Sequence, residues 1–128
     1  LRLNNIRVFQ DDAKLILQEC IADNSLDKVQ IFFPDPWHKK RHNKRRLIQA
    51  EFVYSLLPKL KENGLIHLAT DWENYAEQMM EVLSSIKELE NQSDSGSFVN
   101  TNIRPVTKFQ RRGEKLGHGV WDLIFKKR

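Results

Sequence analysis

The chain has 128 residues and a mass of 15.1 kDa, the size of one domain or part of one, and its 40% hydrophobic and 30% charged residues exclude a disordered protein. Its 21 basic and 17 acidic residues give a net charge of +4, and neither a bilayer-spanning segment nor a secretory leader is visible, which predicts a cytoplasmic protein without a membrane partner. The single cysteine, Cys20, excludes an internal disulfide and a cysteine-rich zinc site.

The first part of the chain predicts two strands separated by a helix. Residues 6–9 form a short apolar strand, and Asp11 or Asp12 caps a helix whose apolar face includes Cys20. Residues 29–33 are β-branched and aromatic, which is typical of a strand, and the proline that follows ends it because proline cannot donate to a β-ladder. Cys20 is therefore expected in the core.

The rest of the chain continues this alternation. Pro58 predicts a kink or an early end in the next helix, which the Asn63–Gly64 pair terminates. Thr70 and Glu73 resemble a capping box, and the methionines of the helix that they open are expected in the core. The predicted elements are a helix over 47–61, a strand over 65–69, a helix over 72–86 and short strands over 98–99 and 120–125.

Alternating strands and helices predict an α/β fold with a mostly parallel, Rossmann-like sheet and helices on both faces. In such sheets, ligands bind beyond the carboxyl ends of the strands. Asp12, Asp35 and Asp71 each follow a predicted strand. We therefore expect three carboxylates to converge on one edge of the sheet.

The excess of positive charge lies in one segment, residues 37–46, which we expect to bind the substrate. Six of the eight residues from 39 to 46 are basic, and the remaining 15 basic and 17 acidic residues alone would give a net charge of −2. A second basic segment covers residues 104–117. Concentrated positive charge attracts polyanions such as nucleic acids, although a solvated loop or a localisation-type run has the same composition.

The sharpest local feature is a Pro-Asp-Pro-Trp sequence at residues 34–37. The two prolines restrict the backbone on both sides of Asp35, and a fixed carboxylate beside the Trp37 indole suits a nucleobase that stacks on the ring and donates to the acid. In the alternative interpretation, Asp35 only forms a local turn and Trp37 covers the core.

Three further polar groups have structural alternatives as well. Asp71 is equally compatible with a carboxylate in the first turn of a helix, and Asp12 with a helix cap. His38 and His42 are four residues apart, as two helical metal ligands would be, but they lie among cations and no acid completes a site. We therefore expect no metal.

Three blocks of the sequence stand out. They are FPDPWHKKRHNKRR at 33–46, ATDWENYA at 69–76, and RPVTKFQRRG at 104–113 followed by LGHGVWDL at 116–123. Together they resemble, in order and over nearly the whole chain, the bacterial tRNA (guanine-N7)-methyltransferases. The resemblance implies a class I methyltransferase fold, S-adenosylmethionine as cofactor and tRNA as partner. The implied reaction moves the cofactor's methyl group to N7 of a guanosine in the tRNA variable loop.

The resemblance also implies functional residues. Asp12 and Asp35 correspond to cofactor contacts, and Asp35 is in addition the implied catalytic residue. Further implied substrate contacts are Lys39, Asp71, Thr107, Lys108, Phe109 and Gln110. The charge of the basic run adds predicted contacts to tRNA phosphates by Arg41, Lys44, Arg45 and Arg46.

Two departures from the family pattern stand out. Gln110 occupies a position where the pattern has glutamate, so a role that needs an anion there is in question. No glycine-rich loop follows an early strand. We therefore interpret residues 1–128 as the C-terminal part of a single catalytic domain, and we expect the chain alone to be a marginal fold that binds the cofactor weakly or not at all.

Three alternatives stay open on the sequence. They are a non-catalytic RNA-binding module, a methyltransferase of the same fold that acts on a small molecule or a protein, and an inactive fragment of the enzyme. A monomer and a homodimer are equally compatible with the sequence.

Overall fold

The computed structural model describes residues 5–93, 96–99 and 119–128 of the 128-residue chain. Two 3-10 helices in these ranges cover Lys40–Arg45 and Leu57–Lys59. The other elements are the helices α1 (Ala13–Cys20), α2 (Ala50–Leu56) and α3 (Glu73–Ser84) and the strands β1 (Leu26–Phe32), β2 (Leu60–Thr70), β3 (Leu89–Asn91) and β4 (Trp121–Lys127).

The four strands form one sheet in the order β1, β2, β4, β3. β1 runs parallel to β2, whereas β4 runs antiparallel to both of its neighbours. The predicted α/β fold with a mostly parallel sheet is confirmed for the described strands: β1, β2 and β3 run in one direction, and β4, which enters between β2 and β3, runs in the opposite one. β3 was not predicted, because its three residues include one apolar side chain, Leu89, and show no alternation.

One face of the sheet packs against the helices. Ile66 and Leu68 of β2 point to the same face as their β4 partners Phe125 and Leu123, and all four are buried with residues of α2 and α3. Leu17 of α1 packs against this core as well. α1 contacts α2 and α2 contacts α3, so the three helices pack next to one another.

The helix predicted over residues 47–61 is much shorter in the structure. α2 ends at Leu56, and a 3-10 turn that contains Pro58 follows it directly. The expected break at Pro58 is confirmed, because proline has no N–H for the helical ladder and its ring clashes with the preceding turn. β2 then begins at Leu60, so the Asn63–Gly64 pair lies inside a strand instead of ending a helix.

This pair forms a bulge in β2. Leu26 of β1 pairs with Leu60 whereas Lys28 pairs with Leu65, so β2 contains extra residues between the two pairs. Asn63 has a φ of 67°, and a Cβ atom on Gly64 would lie 2.8 Å from the Lys61 carbonyl oxygen. The bulge therefore requires a residue that tolerates the left-handed region, followed by one without a side chain.

α3 forms as predicted, but it starts differently. Thr70 Oγ1 accepts a hydrogen bond from the backbone N–H of Trp72 at 3.2 Å, and the helix begins only at Glu73, so the predicted capping box is wrong. Met79 is fully buried in the core, as expected, and Met80 packs against it from a partly buried position.

Two predictions near the beginning of the described chain are wrong. Residues 6–9 do not form a strand, and Ile6, Val8 and Phe9 are all exposed. A strand needs a neighbour to satisfy its backbone groups, and no described strand pairs with this segment. Cys20 is exposed rather than in the core, since α1 has no fully buried residue.

Candidate functional site

The carboxyl ends of β1 and β2 bring two acidic loops to one edge of the sheet. Phe32 pairs with Ala69, and the backbone N–H of Phe33 donates to the Ala69 carbonyl at 2.8 Å, so the two strands end level with each other. Asp35 follows β1 and Asp71 follows β2. The geometry thus places two of the three predicted carboxylates in neighbouring loops.

Asp35 lies in a tight turn. Its Oδ1 accepts a hydrogen bond from the backbone N–H of Trp37 at 2.9 Å, and Phe33 and Trp37 have positive φ values of 54° and 44°. Asp35 is exposed, and its Oδ2 has no hydrogen-bond partner in the part of the chain that the structure describes. The turn expected in the alternative interpretation therefore exists, but it uses one carboxylate oxygen and leaves the other to a ligand.

The Trp37 indole is partly exposed rather than in the core, and it lies among polar rings and cations. The guanidinium carbon of Arg45 is 5.2 Å from the centroid of the indole ring. The rings of Trp37 and His42 are arranged edge to face with their centroids 6.1 Å apart. Arg45 thereby stabilises the indole through a cation–π contact and stays exposed itself. The arrangement joins an aromatic surface to the basic run.

A second ring contact connects the two acidic loops. The rings of His38 and Trp72 meet edge to face at a centroid distance of 4.2 Å. His38 follows the Asp35 turn and Trp72 follows Asp71, which is itself partly buried. The loops after β1 and β2 are therefore in direct contact through side chains that the sequence analysis did not pair.

The basic run is mostly exposed, with one exception. Lys39, Arg41, Lys44 and Arg45 are exposed, and they remain predicted contacts to a polyanion. Arg46 is only 2% exposed, so it is removed from the predicted phosphate contacts. The reason is its position at the end of the 3-10 helix, which turns its side chain towards α3 instead of solvent.

Arg46 is held by three groups. Its Nε donates to the Pro36 carbonyl oxygen at 2.5 Å, its Nη1 donates to Gln78 Oε1 at 2.7 Å, and its guanidinium carbon lies 4.7 Å from the centre of the Tyr75 ring. Burial lowers the pKa of the Arg46 guanidinium, whereas it raises the pKa of the Tyr75 hydroxyl, to which the Asp35 carboxylate adds a smaller increase. Tyr75 is therefore neutral beside a charged Arg46.

Asp12 is in a different setting from Asp35 and Asp71. It caps α1, with Oδ1 accepting from the Lys14 backbone N–H at 2.9 Å. Because residues 6–9 do not form a strand, Asp12 does not follow one, and the predicted convergence of three strand ends is reduced to two. The carboxylate is exposed and remains a predicted cofactor contact.

The predicted contacts Thr107, Lys108, Phe109 and Gln110 lie outside the described residues. Val99 bridges to Asp122, and the first residue of β4, Trp121, pairs with Thr70 at the end of β2.

A cavity of about 600 Å³ lies beside the basic run, and no residue of the Asp35 turn lines it. Lys14 and Gln18 of α1 line one side, and Lys44 and Arg45 contribute to the other. The cavity therefore extends the positive surface from the Trp37 indole towards α1.

One buried polar pair was not found by the sequence analysis. The side chains of His67 in β2 and Asp122 in β4 are 1% and 0% exposed, with Nε2 and Oδ2 2.7 Å apart. The rings of Phe32 and His67 meet edge to face with their centroids 4.8 Å apart. The only sequence signal is that both residues interrupt apolar strands. The pair ties β4 to the centre of the sheet.

Metal and membrane sites are not suggested by the described residues. Among residues 5–93, 96–99 and 119–128, no three His, Cys, Asp or Glu side chains form a group that could hold a metal ion. None of the helices in those ranges has the length and apolar character that crossing a bilayer requires.

Comparison with known proteins identifies the family. A family model described as "Putative methyltransferase" matches residues 1–123. A protein of Idiomarina loihiensis named tRNA (guanine-N(7)-)-methyltransferase is 62% identical over 97% of this chain and 51% of its own length. A Neisseria gonorrhoeae protein of the same name is 60% identical over 98% of the chain and 52% of its own length. The chain thus spans about half the length of the curated relatives that it matches.

The fold has a counterpart among solved structures. The crystal structure of a SAM dependent methyltransferase from Archaeoglobus fulgidus superposes with a TM-score of 0.53 over 96% of this chain and 68% of that one, at 15% sequence identity. This likeness confirms the Rossmann-like methyltransferase fold that the three sequence blocks imply. The match of the family model to residues 1–123 shows that the chain belongs to this methyltransferase family.

Proposed function

We propose that this chain carries the substrate-binding and catalytic edge of a cytoplasmic enzyme that transfers a methyl group from S-adenosylmethionine to N7 of a guanosine in the tRNA variable loop. One observation carries the proposal. The exposed Asp35 carboxylate is fixed by a turn beside the Trp37 indole, at the edge where Asp71 and the exposed basic run also lie. The names of the relatives support the same reaction.

The described residues fit one part of the proposed cofactor. The free oxygen of Asp35, at the carboxyl end of β1, suits a ligand with a positively charged sulfonium. Asp12 offers a second exposed carboxylate, although its Oδ1 is engaged with Lys14. The sequence contains no glycine-rich loop for the nucleotide part, so this chain supplies only some of the contacts. The cofactor, when bound, supplies an electrophilic methyl group.

The reaction needs positioning more than proton transfer. Guanine N7 has a lone pair at neutral pH, so no strong base has to deprotonate it. Positive charge develops on the purine as the methyl group arrives, and the Asp35 carboxylate stabilises that charge while it accepts from the base. Trp37 offers a face on which the base can stack, and Asp71 is placed to accept from the base or its ribose.

The exposed basic residues suit the phosphates of the same RNA. Lys39, Arg41, Lys44 and Arg45 extend from the Trp37 indole along one segment, and the cavity beside α1 adds Lys14 to this surface. Such contacts supply affinity and orientation without reading the base sequence.

Replacing two of these cations tests the phosphate contacts. We expect Lys44→Gln combined with Arg45→Gln to weaken tRNA binding more at low salt than at high salt, and to lower the slope of log Kd against log salt by about 1.5. Binding is measured over a salt series in a polypeptide of the relatives' full length that contains this chain, called here the full-length polypeptide.

Lys87→Gln is the matched control, because Lys87 is exposed on the turn before β3 and far from the basic run in sequence. An equal loss at all salt concentrations, or an equal effect of Lys87→Gln, would remove Lys44 and Arg45 from the proposed phosphate contacts.

Methyl incorporation separates the proposal from its main rival, a non-catalytic RNA-binding module. The full-length polypeptide is incubated with tRNA and with S-adenosylmethionine that is labelled in its methyl group. We expect label in the tRNA, whereas tRNA binding without any incorporated label would favour the rival. A parallel cofactor titration of the 128-residue chain, where we expect weak or no binding, tests whether this chain is active alone.

A further inference from the structure

Arg46 is the one member of the described basic run that is buried, and the surroundings of its charge are unusual. Its partners are a backbone carbonyl, a neutral amide and the face of an aromatic ring, and no carboxylate pairs with it among the described residues. Its Nη2 is buried without a hydrogen-bond partner in the same part of the chain. A buried cation without a counter-ion costs stability, so packing alone does not account for Arg46 at this position.

Arg46 lies on a segment that α3 holds by its backbone. The backbone N–H of Ile48 donates to the Tyr75 hydroxyl at 3.0 Å, and Gln78 Nε2 donates to the Ile48 carbonyl at 3.1 Å. Tyr75 and Gln78 are three residues apart and therefore share a face of α3. The same two side chains contact the Arg46 guanidinium, so α3 fixes both the backbone and the charged group.

From this anchored position, Arg46 reaches the Asp35 turn. Its Nε holds the carbonyl of Pro36, the residue between Asp35 and Trp37. The same guanidinium contacts Tyr75 and Gln78 of α3, and this helix begins directly after Asp71 and Trp72. One side chain therefore connects the loop after β1 to the helix that follows the loop after β2.

We propose that Arg46 and Gln78 are positioning residues for methyl transfer, which set the distance of the Asp35 turn from the Asp71 loop through the Pro36 carbonyl. This inference rests on the proposed function, and it gives Arg46 a different task from its exposed neighbour Arg45. Arg46 acts on the geometry of the bound base, and Arg45 acts on the affinity for RNA.

The test uses Arg46→Lys and Gln78→Leu in the full-length polypeptide. Lysine keeps the charge but cannot donate to Pro36 and Gln78 in the fixed directions of a guanidinium. We expect kcat at saturating tRNA to fall about 10- to 100-fold in each variant, with the Kd for tRNA and its salt slope unchanged. Hydrogen exchange at the backbone amides of Asp35 and Trp37 should increase in both variants; Pro36 between them has no N–H.

Lys127→Met is the matched structural control. Lys127 donates to the Leu57 and Leu60 carbonyls at 2.8 and 2.9 Å, near the start of β2 and thus at the opposite end of the sheet from Asp35. We expect this variant to lower the midpoint of thermal unfolding. The kcat and the hydrogen exchange at the Asp35 and Trp37 amides should stay as in the wild type.

The outcomes distinguish the inference from the proposed function. A wild-type kcat in Arg46→Lys, or a reduced salt slope that marks a phosphate contact, would overturn the inference while leaving the proposed function intact. A wild-type polypeptide that methylates no tRNA would overturn the proposed function. In that case hydrogen exchange still tests whether Arg46 and Gln78 hold the Asp35 turn. This part of the inference is supported if the amides of Asp35 and Trp37 lose protection in both variants, and it is overturned if they do not.

Discussion

Asp35→Asn should lower the rate of methyl transfer by the full-length polypeptide by a factor of about 100 or more. The asparagine amide oxygen can still accept from the Trp37 N–H, so the turn at residues 35–37 is kept while the charge is lost. If the charge stabilises the cationic purine, Asp35→Asn and Asp35→Ala should be impaired to a similar extent. Turnover at saturating cofactor and tRNA is the measurement.

The control for Asp35 is another aspartate near the same strand. Asp27, at the opposite end of β1, is exposed and pairs with Lys61 at 3.2 Å on the surface. Asp27→Asn should leave turnover unchanged. Nearly normal turnover of Asp35→Asn together with a large loss in Asp35→Ala would mean that Asp35 serves only the turn.

The largest effect on stability is expected at the buried pair of β2 and β4. Asp122→Ala leaves the Nε2 of His67 without its partner in a position that is 1% exposed, while its Nδ1 is already unpaired among the described residues. Removing one member of such a pair costs about 3 kcal/mol of the free energy of unfolding. Urea unfolding of the full-length polypeptide measures the loss.

Two further variants locate the origin of that loss. Glu90→Ala removes an exposed acid from the neighbouring β3 and should change the free energy of unfolding by less than about 0.5 kcal/mol. The double variant His67→Leu with Asp122→Leu should lose less than the sum of the two single losses, because each single variant leaves the other member of the pair buried without this partner, whereas the double variant removes both. Additive losses would show that the two side chains do not stabilise each other.

Sequence patterns predicted elements whose residues satisfy one strong local rule. The β-branched and aromatic run of β1, the helical spacing of α3 and the break at Pro58 each follow from properties of neighbouring residues. The loops after β1 and β2 could be located for the same reason, because the position of Asp35 and Asp71 depends only on where the strands end.

The remaining features depend on contacts that are distant in sequence. Residues 6–9 have the composition of a strand, but a strand forms only beside a partner. The direction of β4 depends on how the chain returns to the sheet, and its residues carry no sign of it. Likewise, nothing in the run from 39 to 46 distinguishes the buried Arg46 from the exposed Arg45, because the difference arises from Tyr75 and Gln78, about 30 residues later.

The position of the transferred methyl group tests the central claim most directly. The full-length polypeptide is given S-adenosylmethionine labelled in its methyl group and two tRNAs, one unmodified and one with 7-deazaguanosine at the variable-loop guanosine. The account predicts label in the first tRNA and none in the second, because the substitution removes N7 alone and leaves the Watson–Crick edge and the phosphates in place. Equal labelling of both tRNAs would contradict the account.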